Sequence, residues 1–309
     1  MRIVFMGTPD FAVKSLERLY NDGHDIAGVF TKEDKPRNRG MKLSFSPVKE
    51  LAVSRGTPVY QPHDLKNEST DTIINNLQCD IIAVVAYGKI LTKEIIDAPP
   101  LGCINIHGSL LPKYRGASPV QHAILNGDKE TGVTSQYVAE KIDSGDIIFN
   151  KKTLIGDDET SEELFIRLSI LGAQLLSETV DAISGGFVEP IPQDNANATY
   201  APRLTKNMSP IDWKKSAYSI KCKVRGLLPW PAATMELGGN ILKVCSVDVI
   251  AKMSGMQPGS IIMYGKQGIE VACGDFTVLV KEVQAAGSKR MHVYEYLKGN
   301  PINCDFNQL

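Results

Sequence analysis

From its first residues the chain alternates short apolar runs with stretches in which apolar positions recur at helical spacing. Residues 2–5, 26–30, 81–86 and 103–106 hold consecutive aliphatic or β-branched positions, as strands buried on both faces do. Between them, 12–20, 47–55 and 72–77 carry the period of helices that cover a sheet. Ser46 before Pro47 supplies an N-cap and N1 pair. The pattern predicts βα units to about residue 154, an α/β fold with a doubly wound, mostly parallel sheet. In such sheets ligands bind beyond the carboxyl ends of the strands.

A single long helix is predicted over 160–184, with Thr160 or Ser161 followed by Glu162 and Glu163 as its start and Gly185-Gly186 as its stop. From 188 to 208 the chain is polar and without period, which reads as a linker crossing the surface. Beyond it, 241–249, 259–263, 269–272 and 277–283 alternate between Gly or Pro breaks and predict a small β-barrel. The expected domains are therefore 1–187, a linker at 188–208, and 209–309, which suits a chain of 309 residues.

Composition sharpens this in three ways. With 43% hydrophobic residues there is ample core material, and no apolar run approaches the ~20 residues of a membrane helix. The N-terminus runs straight into a strand without a signal-peptide pattern, so a cytoplasmic protein with no membrane partner is expected. The six cysteines are scattered, without metal-ligand spacing, and read as buried free thiols. Residues 1–205 hold 21 Lys+Arg against 27 Asp+Glu, whereas 206–309 hold 13 against 8. The balances of −6 and +5 point a polyanionic partner at the smaller module.

The first strand ends in Met6-Gly7-Thr8-Pro9-Asp10, which lacks G-x-G-x-x-G and sets Pro9 where a pyrophosphate needs close backbone approach. Dinucleotide binding is thereby excluded. The densest cluster of chemistry-bearing residues is 102–116, GCINIHGSLLPKYRG. Asn105 and His107 are two apart on a strand, so an amide and an imidazole share one face. A strand-end His is also a common hydrogen-bonding residue of cores, and Asp143 and Asp146 in the Gly-containing turn 142–147 equally suit backbone capping.

Asn105-x-His107, followed by Gly108-Ser109-Leu110-Leu111-Pro112 and Gly116, with Asp143-x-Gly145-Asp146 farther on, resembles the active-site signature of the folate-dependent formyltransferases. Residues 5–12 (FMGTPDFA), Val85-Ala86-Tyr87-Gly88 and Pro229-Trp230-Pro231 extend the resemblance, most closely to the branch of that family that acts on methionyl initiator tRNA. The one departure is Glu140-Lys141-Ile142, where the family more often has a Gly and a Leu. The resemblance implies a Rossmann-like catalytic domain and a C-terminal OB-like barrel. It also implies 10-formyltetrahydrofolate as co-substrate, no metal, and formyl transfer to the α-amine of methionyl initiator tRNA by a monomer.

Attack of an amine on the formyl carbon builds an oxyanion, so the site needs a donor aimed at that oxygen and a route for the amine's proton. Asn105 suits the first task, because its amide donates without titrating. His107 suits donation or proton shuttling, with Asp143 holding its tautomer and favouring the imidazolium form. By the resemblance, Ser109, Leu110, Leu111 and Pro112 form the folate-binding turn, and Val84, Ala86, Tyr87 and Gly88 line the pterin pocket through backbone groups. The loop 32–42 holds five basic and two acidic side chains. A solvated loop would carry the same charges, but the resemblance assigns tRNA contacts to Lys35, Arg37, Arg39 and Lys42. Two rivals remain at this level. A formyltransferase for a small amine, such as a glycinamide ribonucleotide or an amino-sugar nucleotide, would need neither barrel nor loop. A folate- or RNA-binding module without turnover would not need Asn105, His107 and Asp143 together.

Overall fold

The structure, a computed structural model, describes residues 1–37, 42–66 and 68–301, with the backbone alone at 35–37, 42–43 and 68–69. Strands β1 (Arg2–Gly7), β2 (Asp25–Phe30), β3 (Lys35–Arg37), β4 (Lys42–Ser44), β5 (Val59–Tyr60), β6 (Ile81–Val85), β7 (Cys103–His107), β8 (Glu130–Tyr137) and β9 (Ile147–Leu154) alternate with helices α1 (Asp10–Asn21), α2 (Pro47–Ser54), α3 (Glu68–Leu77), α4 (Lys93–Asp97), α5 (Pro119–Leu125) and α6 (Ser161–Ser184). Helix starts follow the sequence closely: the Ser46 hydroxyl accepts from Lys49 N at 3.1 Å, and Thr160 and Glu163 form a reciprocal capping box ahead of α6. The chain divides into two compact units. One comprises Met1–Pro119, Glu130–Leu154 and Phe165–Pro202; the other comprises Val120–Lys129, Ile155–Leu164 and the chain from Arg203 onward.

In the first unit seven strands form one sheet in the order β5-β2-β1-β6-β7-β8-β9. β5 to β7 are parallel, and β8 and β9 are antiparallel additions, so the expected doubly wound sheet is present with a mixed edge. Burial of every residue of β6 fits a strand covered on both faces. Near the carboxyl ends of the parallel strands one lateral row runs Met6, Val84, Asn105, Gln136. β8 is buried from Thr131 through Gln136 although Thr, Ser and Gln make up two thirds of that stretch. Its polar groups are consumed internally: Thr134 Oγ1 donates to Ser109 O at 2.7 Å, and Thr179 Oγ1 donates to Ser135 Oγ at 2.9 Å.

The second unit is an antiparallel sheet of β10 (Ala233–Leu237), β11 (Asn240–Ile250), β12 (Ile261–Gly265), β13 (Gly268–Ala272), β14 (Thr277–Gln284) and β15 (Met291–His292), with α7 (Ala217–Gly226) and α8 (Val293–Gly299) packed on it. Its order is β10-β11-β14-β13-β12, with β15 paired to β14. Leu242, Val244, Val278 and Val280 meet Ile220, Val224, Val293 and Leu297 in one apolar core. No helix among the described residues is long and apolar enough to cross a membrane.

Most residues of the segment 188–208 are exposed, and the segment is anchored to the first unit at a few points. Gln193 and Ala201 are buried, Arg115 and Tyr200 form a parallel bridge, and Ile191 pairs with Ile147 at the edge of the sheet. Polar composition concealed this, because the polar groups here are satisfied by other protein groups.

Candidate active site

β7 delivers Asn105 and His107 to the same face, as the two-residue period requires. Asn105 lies between Val84 and Gln136 in its row, is partly exposed, and its carboxamide makes no hydrogen bond to any other of the described residues. His107 is 6% exposed, and both of its nitrogens have neighbours. Nε2 lies 2.8 Å from the carbonyl of Tyr114, which can only accept, so Nε2 is the donor. Nδ1 faces Asp143 Oδ1 at 3.6 Å, an ion pair when the ring is protonated.

Asp143 sits at φ 51°, in the left-handed region that Asp tolerates better than most residues. That conformation turns its carboxylate back toward β7. Oδ2 accepts from Gly116 N at 2.8 Å and Oδ1 from Gln136 Nε2 at 3.3 Å. The turn also demands Gly145: a Cβ there would lie 1.9 Å from the carbonyl oxygen of Tyr137. The structure thus brings Asn105, His107 and Asp143 to one end of the sheet.

The loop after β7 is fixed from below. Ser109 is fully buried and donates to Lys113 O at 2.6 Å, while Thr134 Oγ1 receives Leu111 N at 3.1 Å. Leu110 and Pro112 are partly exposed and Leu111 is nearly buried. At the exit of β6, Ala86 (φ 47°) and Gly88 are exposed, whereas the side chains of Val84 and Tyr87 belong to the core. Tyr87 therefore offers the site only its backbone, and its carbonyl already accepts from Thr8 Oγ1 at 3.1 Å. Burial pushes the Tyr87 phenol up to about 12.

Of the basic-loop residues, Lys35 and Arg37 fall on β3 and Lys42 on its antiparallel partner β4, while Arg39 lies outside the described residues. Sequence reasoning did not reach Gln136, Thr134, Arg115 or Gln193, all buried around the site. In the second unit a cavity of about 530 Å³ is lined by Lys221, Lys243, Lys281 and Arg290 among others. Three of these cations are neutralised in place, Lys221 by Asp158 at 2.5 Å, Lys281 by Asp248 at 2.8 Å and Arg290 by Glu282, to which its Nε donates at 2.8 Å.

Among known proteins, the formyl transferase family matches residues 1–180 and the formyl transferase C-terminal domain matches 203–301. A methionyl-tRNA formyltransferase of Alkaliphilus oremlandii is 47% identical over 302 residues, covering 98% of this chain and 97% of that one. Another, of Clostridium novyi, is 42% identical over 99% of each. Among solved structures, an N-formyltransferase from Helicobacter canadensis in complex with folinic acid and dTDP-3-aminofucose superposes with a TM-score of 0.69, at 19% identity, over 90% of this chain and 98% of that one. HypX from Aquifex aeolicus in complex with tetrahydrofolic acid superposes at 0.62 and 16% identity over 96% of this chain and 47% of that one. These structural likenesses establish a shared fold, and the sequence matches establish more: the chain belongs to the formyl transferase family.

Proposed function

We propose that this enzyme transfers the formyl group of 10-formyltetrahydrofolate to the α-amino group of methionyl initiator tRNA. The observation that carries the reading is identity of 42–47% over nearly the full length of relatives named methionyl-tRNA formyltransferase. The residues present fit a folate that carries a formyl group. An uncommitted carboxamide at Asn105 and exposed backbone at Ala86 and Gly88 stand at adjacent strand ends, where sheets of this kind receive flat heterocycles. Ser109 to Pro112, with Val84, Ala86, Tyr87 and Gly88, would hold that group.

The bound folate supplies an activated formyl carbon at N10. The Asn105 NH2 donates to the formyl oxygen as negative charge builds there, and the benefit is large because the donor is already free and in place. His107 takes up the proton released by the attacking amine, and a proton delivered to N10 accompanies cleavage of the bond between N10 and the formyl carbon, which frees tetrahydrofolate. With Nε2 fixed as a donor to Tyr114 O, the proton is received at Nδ1, opposite the Asp143 carboxylate, or Nε2 leaves that carbonyl during transfer. Asp143 positions the ring and touches no substrate atom.

Lys35, Arg37, Arg39 and Lys42 are assigned to phosphate or end-base contacts of the tRNA. The basic balance of 206–309 supplies nonspecific attraction. Residues 1–187 serve as the catalytic domain, 188–208 as the connection and 209–309 as an OB-like tRNA-binding domain, acting as a monomer in the cytoplasm. Incubation with 10-formyltetrahydrofolate and, separately, methionyl initiator tRNA, glycinamide ribonucleotide and an amino-sugar nucleotide tests this. Formylmethionyl-tRNA as the dominant product is expected, and preferential formylation of either small amine overturns the reading.

A further inference from the structure

We infer that Gln193, which reaches the site from the polar segment after α6, is a positioning residue for formyl transfer that acts by holding the Asp143 turn. The inference rests on the formyl-transfer reading above. Gln193 is 9% exposed and lies 50 residues from Asp143 in sequence. Its Oε1 receives two donors from the Arg115 guanidinium, Nη2 at 2.7 Å and Nε at 3.0 Å. A guanidinium only donates, so the amide cannot be turned the other way, and Nε2 must face the remaining acceptors. These are Gly145 O at 2.7 Å, Asp143 O at 3.0 Å and Gln136 Oε1 at 3.0 Å. Three acceptors share two N–H groups, and two of the three are backbone carbonyls of the turn that carries the Asp143 carboxylate.

The arrangement forms one connected polar chain: Arg115 fixes Gln193, Gln193 fixes the 143–145 backbone and Gln136, and Gln136 Nε2 donates in turn to Asp143 Oδ1. Arg115 is 3% exposed, and its third contact is another neutral oxygen, Asn195 Oδ1 at 3.0 Å. Among the described residues no carboxylate pairs with it within 4 Å. Burying a guanidinium against amide oxygens alone is a poor way to gain stability. Its effect is to set the angle of Gln193, and through it a turn that holds a non-glycine residue at positive φ.

Gln193→Glu separates positioning from folding. It keeps the acceptor for Arg115, and strengthens that contact by adding charge, while replacing the N–H donors with an oxygen that repels the Asp143 and Gly145 carbonyls. We expect kcat to fall at least tenfold, KM for the folate and for the amine acceptor to stay within about threefold, and the melting temperature to hold or rise. Combined with Asp143→Asn, Gln193→Glu should add little further loss, because both act through one group. Nitrogen-15 spectra of His107 in the unliganded protein should also change in Gln193→Glu, a readout independent of which amine is the substrate. A wild-type enzyme inactive on methionyl-tRNA with altered His107 signals in the variant would sink the acceptor assignment and leave the positioning role standing. Unchanged His107 signals with kcat within twofold of wild type would overturn the positioning role, as would a full additive loss in the double variant.

Discussion

At the exit of β6 the chain turns with little help from distant side chains: Ala86 takes φ 47°, Tyr87 drops its ring into the core, and one hydroxyl from Thr8 pins the carbonyl. At the exit of β7 the turn is fixed by side chains that come from far along the sequence, with Thr134, Gln136, Asp143 and Gln193 all closing on residues 107–116 or on one another. The first exit presents peptide groups, and the second presents an amide and an imidazole at defined angles. Substitutions that keep the backbone should therefore be mild at β6 and severe at β7, even where the β7 substitution is nearly isosteric.

The largest effect is expected at His107. His107→Ala removes the proton acceptor and the group fixed by Tyr114 O, and kcat should fall by about 10²–10⁴. Single-turnover transfer with saturating folate measures this, and loss confined to KM would assign the residue to binding instead. Asp143→Asn comes next. Asn tolerates positive φ and still accepts from Gly116 N, so the fold should persist while kcat drops by roughly 10² through loss of the charge facing Nδ1. A melting temperature lowered in step with activity would mean that the turn has collapsed.

The smallest effect lies at β6, and its direction is favourable. Tyr87 Oη is buried without a hydrogen-bond partner among the described residues, so Tyr87→Phe should stabilise the protein by about 1 kcal/mol at neutral pH and leave kcat unchanged. The phenol's folded value, pushed up to about 12 from an ordinary value near 10, gives the sign of a pH effect. The folded state holds that proton more tightly, so the stabilisation is complete below about pH 10 and is lost as pH rises through 12. Denaturant midpoints from pH 8 to 11.5 should lie below those of Tyr87→Phe by a constant margin up to about pH 10 and by a widening margin above it, as the phenol of the unfolded chain ionises. Parallel curves would show that the hydroxyl is solvated.

How much of this was legible in the sequence depends on where each residue's partner lies. Asn105 and His107 could be paired because a strand's two-residue period is local, and β1, β2, β6 and β7 stood out as apolar runs. Gln136 and Thr134 were hidden because a buried polar strand resembles an exposed one until its hydrogen bonds are known. Gln193 was hidden more deeply: its partners are 48 to 78 residues distant, and its surroundings have the composition of a solvated linker. In the second unit, β11, β13 and β14 followed the alternation, whereas β10 and the lysine-rich α7 gave no clear period and were missed.

The free carboxamide of Asn105 is the part of the account most exposed to a direct test. Asn105→Asp keeps the size and the strand position and replaces the only donor of that side chain with an acceptor that repels developing negative charge. Measured as single-turnover formyl transfer to methionyl initiator tRNA, the variant is predicted to lose roughly 10²–10³ in rate while its folate Kd changes by less than about tenfold. A rate within threefold of wild type would contradict the account.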